Sequence, residues 1–132
     1  MKVSTTLLLT SIFTFAATHP HFKQHREASL AICWSTSTLQ RYILDLNTYP
    51  TEGDVYMAEA QALTVDEGLQ CSTKNGELDN EESASDSCKK NQEIKYAINE
   101  LKYTSPEHKR MRLKGLIGAC MDLDKMIGCP TK

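Results

Sequence analysis

The sequence lacks the features that are typical of collagen-like, low-complexity and repeat proteins. Six glycines and four prolines in 132 residues are too few for a collagen-like or low-complexity chain. No repeat with a period of about 33 to 45 residues is present, which argues against a solenoid. Aromatic residues are scarce, at 7%, but hydrophobic residues reach 40%, which is enough to form a core. The length fits one domain and is too short for two.

Sequence motifs for catalysis and for metal binding are also missing. There is no GxSxG, no HExxH, no glycine-rich phosphate loop and no CxxC pair. His108 stands among lysines and arginines at a predicted helix start, which is typical of a surface residue. Residues 1–18 are a predicted signal peptide, as described below, so His19, His21 and His25 would lie at the start of the mature chain. Pro20 lacks the backbone N–H that an amino-terminal copper site uses as a ligand. We therefore expect no enzyme, no metal site and no cofactor.

Residues 1–18 have the pattern of a secretory signal peptide. Lys2 supplies the positive start, Leu7 to Ala16 forms an apolar stretch, and Ala16, Ala17 and Thr18 are small enough for cleavage. An apolar stretch of about ten residues is half of what a membrane anchor needs, and no later stretch is more apolar. The prediction is a secreted, extracellular protein with a single domain over 19–132 and no membrane insertion.

All five cysteines follow the predicted signal peptide: Cys33, Cys71, Cys88, Cys120 and Cys129. In an oxidising compartment this number indicates two disulfides and one free thiol, with five choices of the free residue and three pairings of the rest. A structural zinc site is disfavoured because no Cys/His cluster has the spacing of zinc ligands. Cys88 lies at a predicted helix start beside Lys89 and Lys90, a setting that lowers a thiol pKa, but a disulfide is the commoner fate.

Apolar residues at three- and four-residue spacing predict four helices. Thr51 is a predicted N-cap, Ser105 and Pro106 form the strongest helix start in the chain, and Gly128 with Pro130 forms a stop. The predicted helices cover about 22–47, 52–71, 87–103 and 106–127.

The segment 72–87 is predicted to be a solvated acidic loop, since it contains Asn75–Gly76 and has almost no large apolar residue. No stretch alternates with a period of two residues. The fold class predicted is therefore all-α: a small disulfide-stabilised bundle of about four helices.

The predicted bundle suggests which cysteines pair. In an up-down-up-down arrangement, Cys71, Cys88 and Cys129 lie in one layer at the same end. Cys33 lies about ten residues inside the first predicted helix and Cys120 nine residues before Cys129, so both are roughly 14 Å deeper at ~1.5 Å per residue. This predicts a Cys33–Cys120 bridge, with the second bridge drawn from the other three cysteines.

Charge is unevenly distributed along the chain. Residues 19–87 hold four basic residues against twelve acidic ones, a net −8, whereas residues 88–114 hold eight basic against three acidic, a net +5. Such charges can be solvated helix faces, or a docking surface for a protein or a sulfated glycan. The candidate partner-binding residues are Lys109, Arg110, Arg112 and Lys114, with Glu77, Asp79, Glu81 and Glu82 as the alternative surface. Nucleic acid is not an expected partner of a secreted chain with net negative charge.

A second possibility is a carrier of small hydrophobic ligands. Five apolar or aromatic residues can either line a ligand cavity or form ordinary core: Phe22, Trp34, Tyr42, Met111 and Met121. The spacing Cys120-x8-Cys129 resembles the last cysteine pair of insect odorant-binding proteins, which are small, secreted and helical. The resemblance covers those ten residues only, and the Cys-x3-Cys of that family is absent.

A resemblance over the whole predicted mature length concerns another family. Cys33–Trp34 in the first helix, the loop between Cys71 and Cys88, and the ending from Cys120 to Pro130 are similar to anophensin/albicin-type salivary proteins of anopheline mosquitoes. The resemblance implies an all-helical inhibitor of host plasma proteins, directed at the alternative-pathway complement convertase or at kallikrein-kinin contact activation. It carries over no site residue.

Overall fold

The computed structural model describes residues 18–46 and 51–130, with the side chains described from Leu30 on. The predicted signal peptide lies outside the described residues, apart from Thr18. The chain divides into two compact units, Met1–Leu30 and Ala31–Lys132. In the first unit the described part is helical backbone, and the second unit contains the packed core.

The described part of the chain contains four α-helices, as expected, and the all-α fold class is confirmed. We number them α1 to α4 in chain order. A 3-10 turn, Leu101–Tyr103, extends α3. The helices are α1 (Thr18–Leu44), α2 (Glu52–Gly68), α3 (Asp86–Glu100) and α4 (Pro106–Ile127).

The helix ends follow from local capping chemistry. At α2, the Thr51 hydroxyl accepts a hydrogen bond from the Asp54 N–H (3.1 Å), and the Asp54 carboxylate accepts one from the Thr51 N–H (2.9 Å). The Ser85 hydroxyl accepts from the Cys88 N–H at the start of α3. Helix α4 begins with Pro106 and ends at Gly128, whose φ of 88° is the left-handed conformation that favours glycine.

The predicted acidic loop contains a short β-hairpin that the sequence analysis did not predict. Strands β1 (Thr73–Lys74) and β2 (Glu77–Leu78) pair antiparallel, with Lys74 opposite Glu77. Asn75 and Gly76 both have positive φ, 54° and 81°, as the type I′ turn of a two-residue hairpin requires. The Asn-Gly pair was the available signal, but strands of two residues show no alternation.

The core lies among all four helices. Helix α3 packs against both α2 and α4. Helix α1 joins α2 through the Gln61 side-chain amide, which donates to the Ser35 carbonyl (3.0 Å), and through Ile32, which reaches so close to Gly68 that a Cβ there would lie 2.6 Å from it. The largest fully buried apolar side chains are Leu39, Ile43, Leu46, Val65, Ile94, Ile98, Leu101 and Leu123.

Two disulfides close the structure, and one of them contradicts the predicted pairing. Cys33 bonds to Cys129 and Cys71 bonds to Cys88, while Cys120 is free and buried. The predicted Cys33–Cys120 bridge is wrong, because its depth was measured from a helix start near Phe22. Among the described side chains of α1, Ile32 is the first that is buried, and Cys33 beside it is bonded to Cys129, which follows the end of α4.

Candidate interaction surfaces

The four predicted basic residues do not share one face of α4. Arg110 and Lys114 are exposed and one helical turn apart, and Lys109 is a half-buried neighbour. Arg112 is rotated by about 200° from Arg110, at 3.6 residues per turn. Its guanidinium donates to the Glu100 carboxylate at 2.9 Å. We call Lys109, Arg110 and Lys114 the basic surface.

Among the described residues, some cations of α3, the 3-10 turn and α4 form ion pairs, whereas Lys89, Lys125 and the three residues of the basic surface do not. Lys90 is paired with Glu93 (3.1 Å), Lys102 with Glu59 (3.4 Å), and Lys95 with Asp66. In the described part of the chain, no ion pair involves the three residues of the basic surface. Their charge is therefore directed at solvent.

The alternative acidic residues are all exposed but differ in what surrounds them. Glu77 lies on β2, and Asp79 accepts a hydrogen bond from the Ser72 hydroxyl (3.0 Å). Glu81 and Glu82 lie in a turn that the Asn80 side chain holds by accepting from the Glu82 N–H. The structure thus places the four residues along one loop, which the Cys71–Cys88 bridge closes.

A groove of about 530 Å³ lies between α1 and the end of α4. We call it the α1–α4 groove. Its wall on α1 is formed by Trp34, Ser37, Gln40, Arg41 and Leu44, and its other wall by Met121, Asp124 and Pro130, with the Cys33–Cys129 bridge at one end. Trp34 is 69% exposed, so the groove is open and Trp34 is not a core residue.

Only part of the predicted ligand cavity is assembled. Trp34 and Met121 line the α1–α4 groove, whereas Tyr42 packs against the core and Met111 is 73% exposed and does not line the groove. The side chain of Phe22 lies outside the described residues.

The environments of Cys120 and His108 indicate structural roles for these two side chains. Burial raises the pKa of the Cys120 thiol to about 12, and the negative charge of Asp124 adds to the shift. A raised pKa is the opposite of what a nucleophilic cysteine needs. His108 Nδ1 lies 2.9 Å from the Ser105 hydroxyl, an exposed contact within the first turn of α4, and in the described part no carboxylate orients the ring.

The described residues show neither a metal cluster nor a membrane helix. No three His, Cys, Asp or Glu side chains are grouped so that they could hold a metal ion, in the part of the chain that the structure describes. Among the described helices, none is long and apolar enough to cross a bilayer. The histidines of the N-terminal segment have side chains outside the described residues.

A buried polar cluster was missed by the sequence analysis. Asp66, 2% exposed, accepts from the Asn91 side-chain amide (2.7 Å) and from the Lys95 ammonium. Lys95 also donates to the Gly76 carbonyl, and Asn91 to the Ala62 carbonyl. The signal was spacing, because Asp66 follows Ala58 and Ala62 at four-residue intervals on the apolar side of α2.

Comparison with known proteins gave no match. No protein-family model fits the chain, and the searches of curated proteins and of solved structures found no significant similarity.

Proposed function

We propose that this chain is a secreted, non-enzymatic protein that acts by binding another protein, with the basic surface as its docking face. The observation that carries the proposal is that three neighbouring cations of α4 have no carboxylate partner in the described part of the chain. Lys109, Arg110 and Lys114 lie in the first half of α4, and in the described part of the chain none of them is paired with a carboxylate, so their charge is available to a partner. Two disulfides in a small helical domain support secretion.

The positive charge of the basic surface indicates the kind of partner that it would bind. Three unpaired cations attract an acidic patch and accelerate encounter through long-range steering, which salt screens. The resemblance to anopheline salivary proteins names the candidates to try first: the alternative-pathway complement convertase and the proteins of kallikrein-kinin contact activation. A sulfated glycan offers the same anionic chemistry and serves as a competitor in the binding experiment.

The alternative function is an odorant-binding-like carrier, and the α1–α4 groove is the observation that favours it. A carrier of small molecules buries most of its ligand's surface, whereas this groove is open and presents Trp34 to solvent. A fluorescent apolar probe distinguishes the two functions. Sub-micromolar probe binding supports the carrier, and absence of probe binding together with delayed complement lysis or delayed clotting supports the protein-binding proposal.

The docking face is tested by charge reversal. In the variant Arg110→Glu/Lys114→Glu, we expect association with the immobilised target to slow by about ten-fold at low salt, because rim charges act mainly on the association rate. Stability should change by no more than about 0.5 kcal/mol, since both side chains are exposed. Surface plasmon resonance at two salt concentrations measures the rates, and thermal unfolding checks the fold.

A matched control separates docking from net charge. The variant Lys90→Glu/Arg112→Glu changes the net charge by the same amount but alters cations that are already paired with Glu93 and Glu100. We expect its association rate to stay within about two-fold of the parent. An equal loss in both variants would mean that overall charge governs binding, and that the basic surface is only a solvated helix face.

A further inference from the structure

Three large apolar side chains are exposed together in the α1–α4 groove. Trp34 is 69% exposed, Leu44 60% and Met121 48%, and all three line the same groove, next to Pro130. Contiguous apolar surface of this kind marks interaction sites in soluble proteins. Tryptophan, arginine and methionine are also the residue types enriched at protein interfaces.

The groove carries one charge of each sign, and these lie on its two different walls. Arg41 belongs to the α1 wall and Asp124 to the α4 wall. Within the described residues neither side chain forms an ion pair. Asp124 Oδ1 is buried and accepts no hydrogen bond in the described part of the chain. An occupant of the groove therefore needs an apolar side chain, a cation for Asp124 and an anion for Arg41.

We propose that the occupant is a second copy of this chain, so that the groove is the interface of a two-fold dimer. In a two-fold interface residue i meets residue j of the partner and j meets i. A second groove placed across the first supplies all three requirements at once. Each Arg41 then faces the partner's Asp124, and each Trp34 packs between the apolar walls.

The dimer goes beyond the proposed function and does not depend on it. Helix α4 carries the basic surface at its start and the groove residues near its end, so the two surfaces use different side chains. Dimerisation therefore leaves Arg110 and Lys114 available and presents the basic surface twice. Two linked docking faces increase apparent affinity for a target with repeated acidic patches, provided that the geometry allows both to engage.

Association can be followed without a label, because Trp34 is the chain's single tryptophan. In sedimentation velocity on the secreted chain over a thousand-fold range of concentration, we expect a monomer at the lowest concentrations and a dimer at the highest. The Trp34 emission should shift to shorter wavelength over the same range, because the indole leaves water. A sedimentation coefficient and an emission maximum that stay constant to millimolar concentration would overturn the proposal.

Charge exchange tests the two-fold pairing. The single variants Arg41→Asp and Asp124→Arg should each weaken dimerisation by about ten-fold or more, since each places like charges opposite one another. The double variant Arg41→Asp/Asp124→Arg restores opposite charges and should recover the parent dissociation constant to within about three-fold. Asp122→Arg, on the same helix but outside the groove, is the matched control and should leave the dissociation constant unchanged.

The outcomes that contradict the dimer are distinct from those that contradict docking. A dimer that forms equally well in the single charge variants, or that the double variant fails to restore, uses another surface and overturns the proposal. Circular dichroism of each variant verifies folding, and Arg41 is exposed, so its replacement should leave the helices intact. Loss of target binding in the Arg110/Lys114 variant bears on the proposed function alone.

Discussion

Cys120 behaves as an apolar core residue although it is a free thiol in a chain with two disulfides. It is 3% exposed and lies between Leu116 and Leu123 on the buried stripe of α4. Burial and the nearby negative charge of Asp124 raise its pKa to about 12, so the neutral thiol is the form that the fold accepts. Native protein should therefore resist alkylation at this position until it unfolds.

The raised pKa predicts how Cys120 contributes to stability at alkaline pH. In the unfolded chain the thiol ionises near pH 9.0, whereas in the folded chain it remains neutral up to about pH 12. Its contribution is therefore complete below pH 9 and is lost as pH rises toward 12, by at most about 1.4 kcal/mol per pH unit.

The variant Cys120→Ala isolates this contribution. We expect the variant to be less stable than the parent at pH 7, because it removes buried volume, and the difference to shrink steadily above pH 9. Guanidinium unfolding at pH 7, 9, 10 and 11 measures the free energies. A difference that is the same at all four values would show that the thiol is accessible to ionisation in the folded state.

At the scale of the secondary-structure elements, one lysine side chain attaches the hairpin to the helical bundle. Lys95 on α3 donates both to Asp66 on α2 and to the Gly76 carbonyl at the hairpin turn. The side chains of this ion pair are 10% and 3% exposed. One ammonium thus links two helices and a turn, and its removal would leave a buried carboxylate without its counter-charge.

The variant Lys95→Met tests this link. Breaking a buried ion pair by removing one partner costs about 3–5 kcal/mol, because the remaining charge is uncompensated. The control Lys102→Met removes the partly exposed pair with Glu59 and should cost at most about 1 kcal/mol. Chemical unfolding of both variants provides the comparison, and equal losses would contradict a special role for Lys95.

The sequence predicted the helices better than the contacts between them. Thr51, Ser105–Pro106 and Gly128 act locally, so their patterns were enough to predict helix ends. The Asp66–Lys95 pair joins residues far apart in the chain, and spacing alone cannot match an acidic position on α2 with a basic one on α3. Likewise, the exposed cations were predicted as a group, but helix rotation separates Arg112 from Arg110 and Lys114.

At the scale of the whole molecule, the two disulfides should contribute unequally. The Cys71–Cys88 bridge closes a loop of separation 17, and Cys33–Cys129 closes one of separation 96. The loop-entropy relation gives about 3 kcal/mol for the first and about 4.7 kcal/mol for the second. The longer bridge therefore restricts the unfolded chain more strongly.

Double alanine variants of each bridge measure this difference. We expect Cys33→Ala/Cys129→Ala to unfold at lower guanidinium concentration than Cys71→Ala/Cys88→Ala, and non-reducing peptide mapping of the parent to recover both bridges. The opposite order of midpoints would indicate that native contacts around the hairpin, rather than the entropy of the unfolded chain, dominate the effect of the short bridge.

The two disulfides also determine the product of a single proteolytic cut. The exposed stretch 72–87 is spanned by Cys71–Cys88, and the whole region from Cys33 to Cys129 is spanned by the other bridge. A single cut within 72–87 therefore yields two fragments that stay joined by two covalent links. The nicked protein gains the mass of one water molecule and releases nothing until it is reduced, so size on a non-reducing gel does not distinguish it from the uncut chain.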